Sequence, residues 1–391
     1  MPMKKEAPNS YDVISVDDHV VEPRGVWQDR LPAALRDRGP KVVSSDDGDV
    51  WEINGGSHKI TGLSAMAGKS FEEYTPKALR FNEMRPGCYD ARARIEDMDT
   101  DGVDAEVLFG TLAGLAGGTF IDLAGTDPEL AAACVAAYND WLVDEWCAES
   151  PRRLIAQCIL PLWDLKAAAT ELRRCIAAGH KAALLPGLPH VFELPGFADD
   201  RWEELFKVCE ETGTPVALHI GGSIGRKQAA ETMGAIGSGD GVAAESLVAS
   251  APLTNYGVLA NLIFSGVPAR YPKLKLVSVE SGIGWMGYFL ERMDWTYDRH
   301  RYWTHSPLEE PPSHYFRRQI YGTFLVDDTG IETIERIGPD NVMWESDYPH
   351  TDTTWPNSKE VIKEHFGHLS PDVKHDVLAG NAVRVYQLEE N

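Results

Sequence analysis

Asp17, Asp18, His19 and Glu22 follow directly on the apolar run Val13-Ile14-Ser15-Val16. Alternate side chains of a strand point the same way, so Asp17 and His19 can grip one cation together. Three later apolar runs end on similar groups. Pro215-Val216-Ala217-Leu218 reaches His219, Leu274 to Val279 reaches Glu280, and Val342-Met343-Trp344 leads into Glu345-Ser346-Asp347-Tyr348-Pro349-His350. A single histidine at a strand end is ordinarily a hydrogen-bonded core or loop residue, and a single aspartate there is ordinarily a turn former. Four such ends on one sheet point instead to a shared metal site. Hard oxygen donors in that set suit Mn or Fe better than a thiolate site would.

The elements that must position these groups alternate. Strands are expected at 13–16, 104–109, 154–160, 182–185, 215–219, 274–279, 322–326 and 342–345, each followed by helical sequence. Thr126-Asp127-Pro128 supplies a cap and first-turn proline for a long helix over 128–149. Continuous apolar strands alternating with helices argue for a parallel sheet covered by helices. No G-x-G-x-x-G follows the first strand, so a dinucleotide-binding open sheet lacks support. The fold class is α/β, a (β/α)8 TIM barrel, whose catalytic groups sit at the C-terminal ends of the strands. Residues 1–391 are expected to form a single barrel domain with a small inserted region at about 40–85. That insert holds a hairpin around Val50 to Gly56, turned by Asn54-Gly55. The Gly/Ser/Ala-rich stretch over 221–248 reads as a mobile cover for the site.

Composition narrows the function. A formal charge of -23 makes nucleic acid or an anionic membrane a poor partner. The six cysteines show no C-x-x-C spacing and read as buried free thiols, as in a reducing cytoplasm. No secretory signal opens the sequence and no run of about 18 apolar residues is evident, so a cytoplasmic protein is expected. Serine-hydrolase, NTPase and zinc-ribbon motifs are all missing.

D-x-H-x-x-E-P, P-V-A-L-H-I-G-G, V-S-V-E-S-G-I-G-W and E-S-D-Y-P-H-T-D-T-T-W-P together resemble the amidohydrolase superfamily. The similarity runs from about residue 12 and is nearest to the amidohydrolase-2 group, which includes aminocarboxymuconate semialdehyde decarboxylase. The resemblance implies a metal-dependent distorted barrel acting as a hydrolase or non-oxidative decarboxylase. It implies Asp17 and His19 as the first-strand ligand pair, His219 as the fifth-strand ligand and Asp347 as the last-strand aspartate. Two departures stand out. Asp17 replaces the first histidine of the common His-x-His, and Glu280 replaces the sixth-strand histidine that serves catalysis in the decarboxylases. His350 and Asp18 are candidates to take over its acid–base role.

Counting ligands favours one reading over another. Asp17, Glu22, Glu280 and Asp347 would balance two divalent cations, with His19 and His219 supplying imidazoles. A branch resembling this chain, typified by the platensimycin-pathway hydroxylase, comprises non-heme di-iron monooxygenases. The first expectation is therefore a two-Fe monooxygenase that hydroxylates a hydrophobic carboxylic acid or acyl thioester, with O2 and an electron donor as partners. Catalytic roles fall on His350, Glu280 and Asp347. The alternative is a hydrolase or decarboxylase with one Zn or Mn, in which Glu22 and Glu280 merely orient the histidines. Arg85 and His190 are weaker candidates for substrate contact, and a small-molecule substrate and a homo-oligomer fit either reading.

Overall fold

The computed structural model describes residues 10–46, 48–60, 62–224 and 226–389. Eight parallel strands run in the order β1-β5-β6-β7-β8-β9-β10-β11. They are β1 (Ile14–Val20), β5 (Ala105–Gly110), β6 (Leu154–Cys158), β7 (Ala182–Leu184), β8 (Val216–His219), β9 (Leu276–Val279), β10 (Ile320–Phe324) and β11 (Val342–Trp344). Each expected strand is present, because each is a short apolar run buried on both faces. Register places His19 opposite Phe109 and His219 opposite Val279, which brings the chemical groups to one end. No ladder joins β11 to β1. The seam is closed by single bonds: Asp347 N donates to Asp17 O at 2.9 Å, His19 N to Tyr348 O at 2.6 Å, and Ser346 N to Ser15 Oγ at 2.8 Å. The result is a nearly closed (β/α)8 barrel.

The helices begin where their caps say they should. Asp90 accepts from the amides of Arg92 and Ala93 to open Ala91–Asp101, and Gly102, at φ 80°, ends it. Asp127 and Pro128 open Pro128–Trp141 in the same way. The helix Ala91–Asp101 buries a polar face, with Arg94, Asp97 and Asp101 turned toward the barrel. A burial pattern of this kind marks a network rather than simple packing.

The insert is a three-stranded antiparallel sheet of β2 (Lys41–Ser45), β3 (Gly48–Ile53) and β4 (Gly56–Lys59). Asn54 and Gly55 take φ 47° and 80°, the paired positive values of the expected hairpin turn. The chain after it reaches the last-strand loop, where the amides of Met66 and Ala67 donate to Pro349 O at 2.8 and 3.1 Å.

The small-residue stretch departs from expectation. It contains the helices Arg226–Gly237 and Gly241–Ser250, with Thr254–Phe264 following. Alanine and leucine favour helix strongly enough to outweigh the scattered glycines. Gly241–Phe264 is also long and apolar enough, by length and composition alone, to cross a membrane. Its second part buries Val258, Leu259, Leu262 and Ile263, as a core helix does. All six cysteines are buried free thiols.

Candidate metal centre

Asp17 and His19 leave β1 on the same side, as a two-residue period requires. His19 Nε2 lies 3.3 Å from Asp17 Oδ1 and 3.5 Å from Asp347 Oδ1. His219, the last residue of β8, places its Nε2 3.3 Å from Asp17 Oδ2, 3.5 Å from Glu280 Oε2 and 3.4 Å from His19 Nε2. The Nδ1 of His219 sits 2.8 Å from the carbonyl of Ile220, so it keeps a hydrogen and Nε2 is the nitrogen that would face an ion. Glu280 and Asp347 both take left-handed backbone, at φ 56° and 54°. Non-glycine residues adopt that region at a cost, and such strain clusters at functional sites. His350 stacks on His19 with ring centroids 3.8 Å apart, and its Nδ1 lies 2.8 Å from Asp347 Oδ1.

The group fits a cation. The carboxylate oxygens of Asp17 and Asp347 are buried, and the side chains facing them at 3.5 Å or less are imidazoles. Ionised carboxylates left so are costly unless a positive charge faces them. Donor atoms of Asp17, His19 and His219 lie within 4.8 Å of one another, as do those of Asp17, Glu280 and Asp347 and those of His19, Asp347 and His350.

Electrostatics record the crowding. Burial alone would raise the Asp17 carboxyl, but the imidazoles of His219 and His19 outweigh it and hold it below the usual range. Burial, then the neighbouring Asp17 and Glu345, push Asp347 well up. Burial, then Asp347, do the same to Glu280. Burial disfavours a charged His219, yet Asp17 and Glu280 raise it to about 9. Burial and the nearby His350 lower His19 to about 3. The protein alone therefore keeps Asp17 ionised and a proton on Asp347, which a divalent ion would displace.

Three sequence expectations land elsewhere. Glu22 does not face the cluster. Its carboxylate accepts from the amides of Leu112 and Ala113 at 2.8 and 2.9 Å, and burial pushes it up to about 7. Arg85 makes a two-point pair with Asp97, at 2.8 and 2.6 Å, beneath the Trp355 ring. His190 lies exposed on the short turn Pro189–Phe192.

Other contacts could not be read from the sequence, and those of Asp18, a candidate for the acid–base role, are among them. Glu345 is wholly buried beside Glu280, accepting from the Thr323 hydroxyl and, at 3.3 Å, from the Glu280 amide. Arg94, also wholly buried, donates to Glu106 Oε1 at 2.8 Å, to Gly87 O at 2.7 Å and to the His19 carbonyl. Asp18 accepts from Tyr348 N at 2.8 Å, and Tyr348 donates its hydroxyl to Asp97 at 2.6 Å. This network holds the backbone of His19 and the last-strand loop together. A charged residue inside the apolar strand Ala105-Glu106-Val107 was the one available signal for it.

With this geometry in place, comparison with known proteins settles the lineage. An amidohydrolase family model matches residues 41–388. The chain belongs to the amidohydrolase family. Membership places it among enzymes. It is 25% identical over 327 residues to 2-amino-3-carboxymuconate-6-semialdehyde decarboxylase of Dictyostelium discoideum, covering 80% of each chain. It is 26% identical over 245 residues to gamma-resorcylate decarboxylase of Rhizobium sp. (strain MTP-10005), covering 58% of this chain and 69% of the other. The fold also matches 5-carboxyvanillate decarboxylase of Novosphingobium aromaticivorans, solved with manganese and 4-hydroxy-3-methoxy-5-nitrobenzoic acid. There the TM-score is 0.66 at 19% identity, covering 98% of each chain.

These findings correct the monooxygenase expectation. The relatives carry the names of decarboxylases, and none of the three is an oxygenase. The expectation of two irons falls with it. Glu22, counted toward a second ion, is spent on backbone amides.

Proposed function

We propose that this chain is a metal-dependent non-oxidative decarboxylase of a small aromatic or unsaturated carboxylic acid. The observation that carries the reading is the convergence of two buried carboxylates, Asp17 and Asp347, on the imidazoles of His19 and His219 at the strand mouth. Asp17, His19, His219 and Asp347 would hold one divalent cation. Its mixed oxygen and nitrogen donors suit manganese, which the solved neighbour also contains. Such an ion supplies fixed positive charge that draws the oxygen atoms of a carboxylate substrate.

The chain's own groups then handle the proton. Glu280 is the one carboxylate of the cluster with appreciable exposure, 17%, and burial with its acidic neighbours keeps its proton on. As the bond between the substrate's carbon skeleton and its carboxylate breaks, the bonding electrons stay on the carbon and CO2 leaves. Glu280 gives that carbon its proton, forming a C–H bond, and recovers one from water. His350 orients Asp347, and the Phe109 ring packs 4.9 Å from that of His219, keeping the floor apolar.

The test is anaerobic. Manganese-loaded protein is mixed with 2,6-dihydroxybenzoate or 5-carboxyvanillate, and CO2 and ring product are measured with the metal content. CO2 release without O2, with one metal per chain, supports the reading. No CO2 from either acid, nor from a broader set of ring and diene carboxylates, overturns it.

A further inference from the structure

Glu22 and the loop it holds have no part in the cluster, yet they are built with care. After β5 the chain runs Thr111-Leu112-Ala113-Gly114-Leu115 into the short turn Leu115–Gly117. That turn packs against β7 and β8, which lie two and three strands away around the barrel. A segment that leaves β5 and touches β8 spans the mouth as a chord. Its end is seated closely: a Cβ added to Gly221 would stand 2.7 Å from Leu115 Cδ1. Gly221 lies two residues beyond His219 and sits at φ 75°, so the backbone favours glycine there, and any larger residue would have to displace the Leu115 side chain. The other end is tied down by the fully buried Glu22 through the Leu112 and Ala113 amides. Gly110 leaves room for this tie, since a Cβ there would meet Glu22 Oε1 and Tyr138 Oη at 2.7 Å each.

We propose that Leu115 roofs the metal centre and sets the bulk of the acid admitted, with Glu22 as the positioning residue that pins the roof. The proposal rests on the reading of the site as a metal-held carboxylate pocket. It does not depend on which reaction follows. Leu115 packs at Gly221, two residues beyond His219, and on this proposal an acid bound at the cation would meet it before reaching solvent. Glu22, three residues past His19, fixes the height of the roof relative to the same strand that carries two of the ligands. The spacing Asp17-x-His19-x-x-Glu22 thus joins the grip on the ion to the placement of its cover.

The experiment measures binding rather than turnover, so a failed decarboxylase assay would leave it readable. Affinities of benzoate and 1-naphthoate for manganese-loaded protein are taken by calorimetry for wild type, Leu115→Ala, Leu115→Trp and Glu22→Gln. Leu115→Ala should shift the naphthoate-to-benzoate ratio upward by about 10-fold and Leu115→Trp downward, the scale on which pockets discriminate single groups. Glu22→Gln should keep its manganese, relax the same ratio toward that of Leu115→Ala, and exchange the Leu112 and Ala113 amide hydrogens about 10- to 100-fold faster. An unchanged ratio in both Leu115 variants, including absence of any binding in all of them, overturns the roof. Loss of manganese in Glu22→Gln overturns the positioning role and returns Glu22 to the ligands.

Discussion

Asp17→Asn is the most informative single change. It keeps the size of the side chain and removes the charge that two imidazoles face at 3.3 Å. In the wild-type protein manganese should raise thermal stability by the linkage relation, about 2.7 kcal/mol when free ion is 100 times its dissociation constant. For a chain of this size that corresponds to a shift of about 5 °C or somewhat less. The shift should depend on pH with a definite sign. His219 is held at about 9, so below that pH the ion must displace its proton. Affinity should therefore rise by at least tenfold per pH unit until pH 9 is passed, one proton leaving His219 and a further one leaving Asp347 wherever its carboxyl still holds it. Asp17→Asn removes both the leading ligand and the largest support for charged His219. Its melting temperature should stay flat on adding manganese, and its metal content should fall below one per chain. Differential scanning calorimetry across pH 6–9, with elemental analysis of the same samples, reads both. An Asp17→Asn protein that keeps one manganese and the full thermal shift would refute the assignment of the centre.

Other outcomes follow from the same geometry. Glu280→Gln should retain its metal and lose CO2 release by about 10²- to 10⁴-fold, the usual contribution of a positioned acid, in steady-state assays. Glu22→Gln should alter how stability changes with pH. Glu22 is raised from 4.5 to about 7, so its stabilisation is present below pH 4.5 and lost as pH rises through 7. Urea denaturation should show wild type losing about 3 kcal/mol relative to Glu22→Gln across that window. Arg94→Met strands the buried Glu106 carboxylate and should cost about 3–5 kcal/mol in the same measurement, with Arg94→Met/Glu106→Leu recovering part of it.

Much of this architecture was legible before any coordinates. The eight barrel strands are short apolar runs closed by glycine, proline or polar residues, and nothing in their surroundings competes with that signal. The clustering of the groups at the ends of β1, β8 and β9 was legible for the same reason, since a strand end fixes where its next side chain points. Legibility failed where direction depended on distant packing. Glu22 lies beyond the end of β1, and the amides that capture it belong to a loop 90 residues later. Arg94 sits within an ordinary helix, and only its contact with Glu106 and the His19 carbonyl shows why it is buried. The reaction class failed for a related reason. Counting carboxylates gives the same total whether they face one ion, two ions or the backbone, so the inventory alone could not separate an oxygenase from a decarboxylase.

The seam between β11 and β1 has a further meaning. The residues that zip the cylinder shut, Asp17, His19 and the Ser346-to-Tyr348 loop, include or adjoin those proposed to hold the ion, and they come from positions about 330 apart in the chain. Catalytic competence therefore arrives only with the final strand, and a protein interrupted before residue 347 has no partial version of its chemistry to offer. The ion, once seated, rivets the two margins of the cylinder at the place where backbone pairing is thinnest.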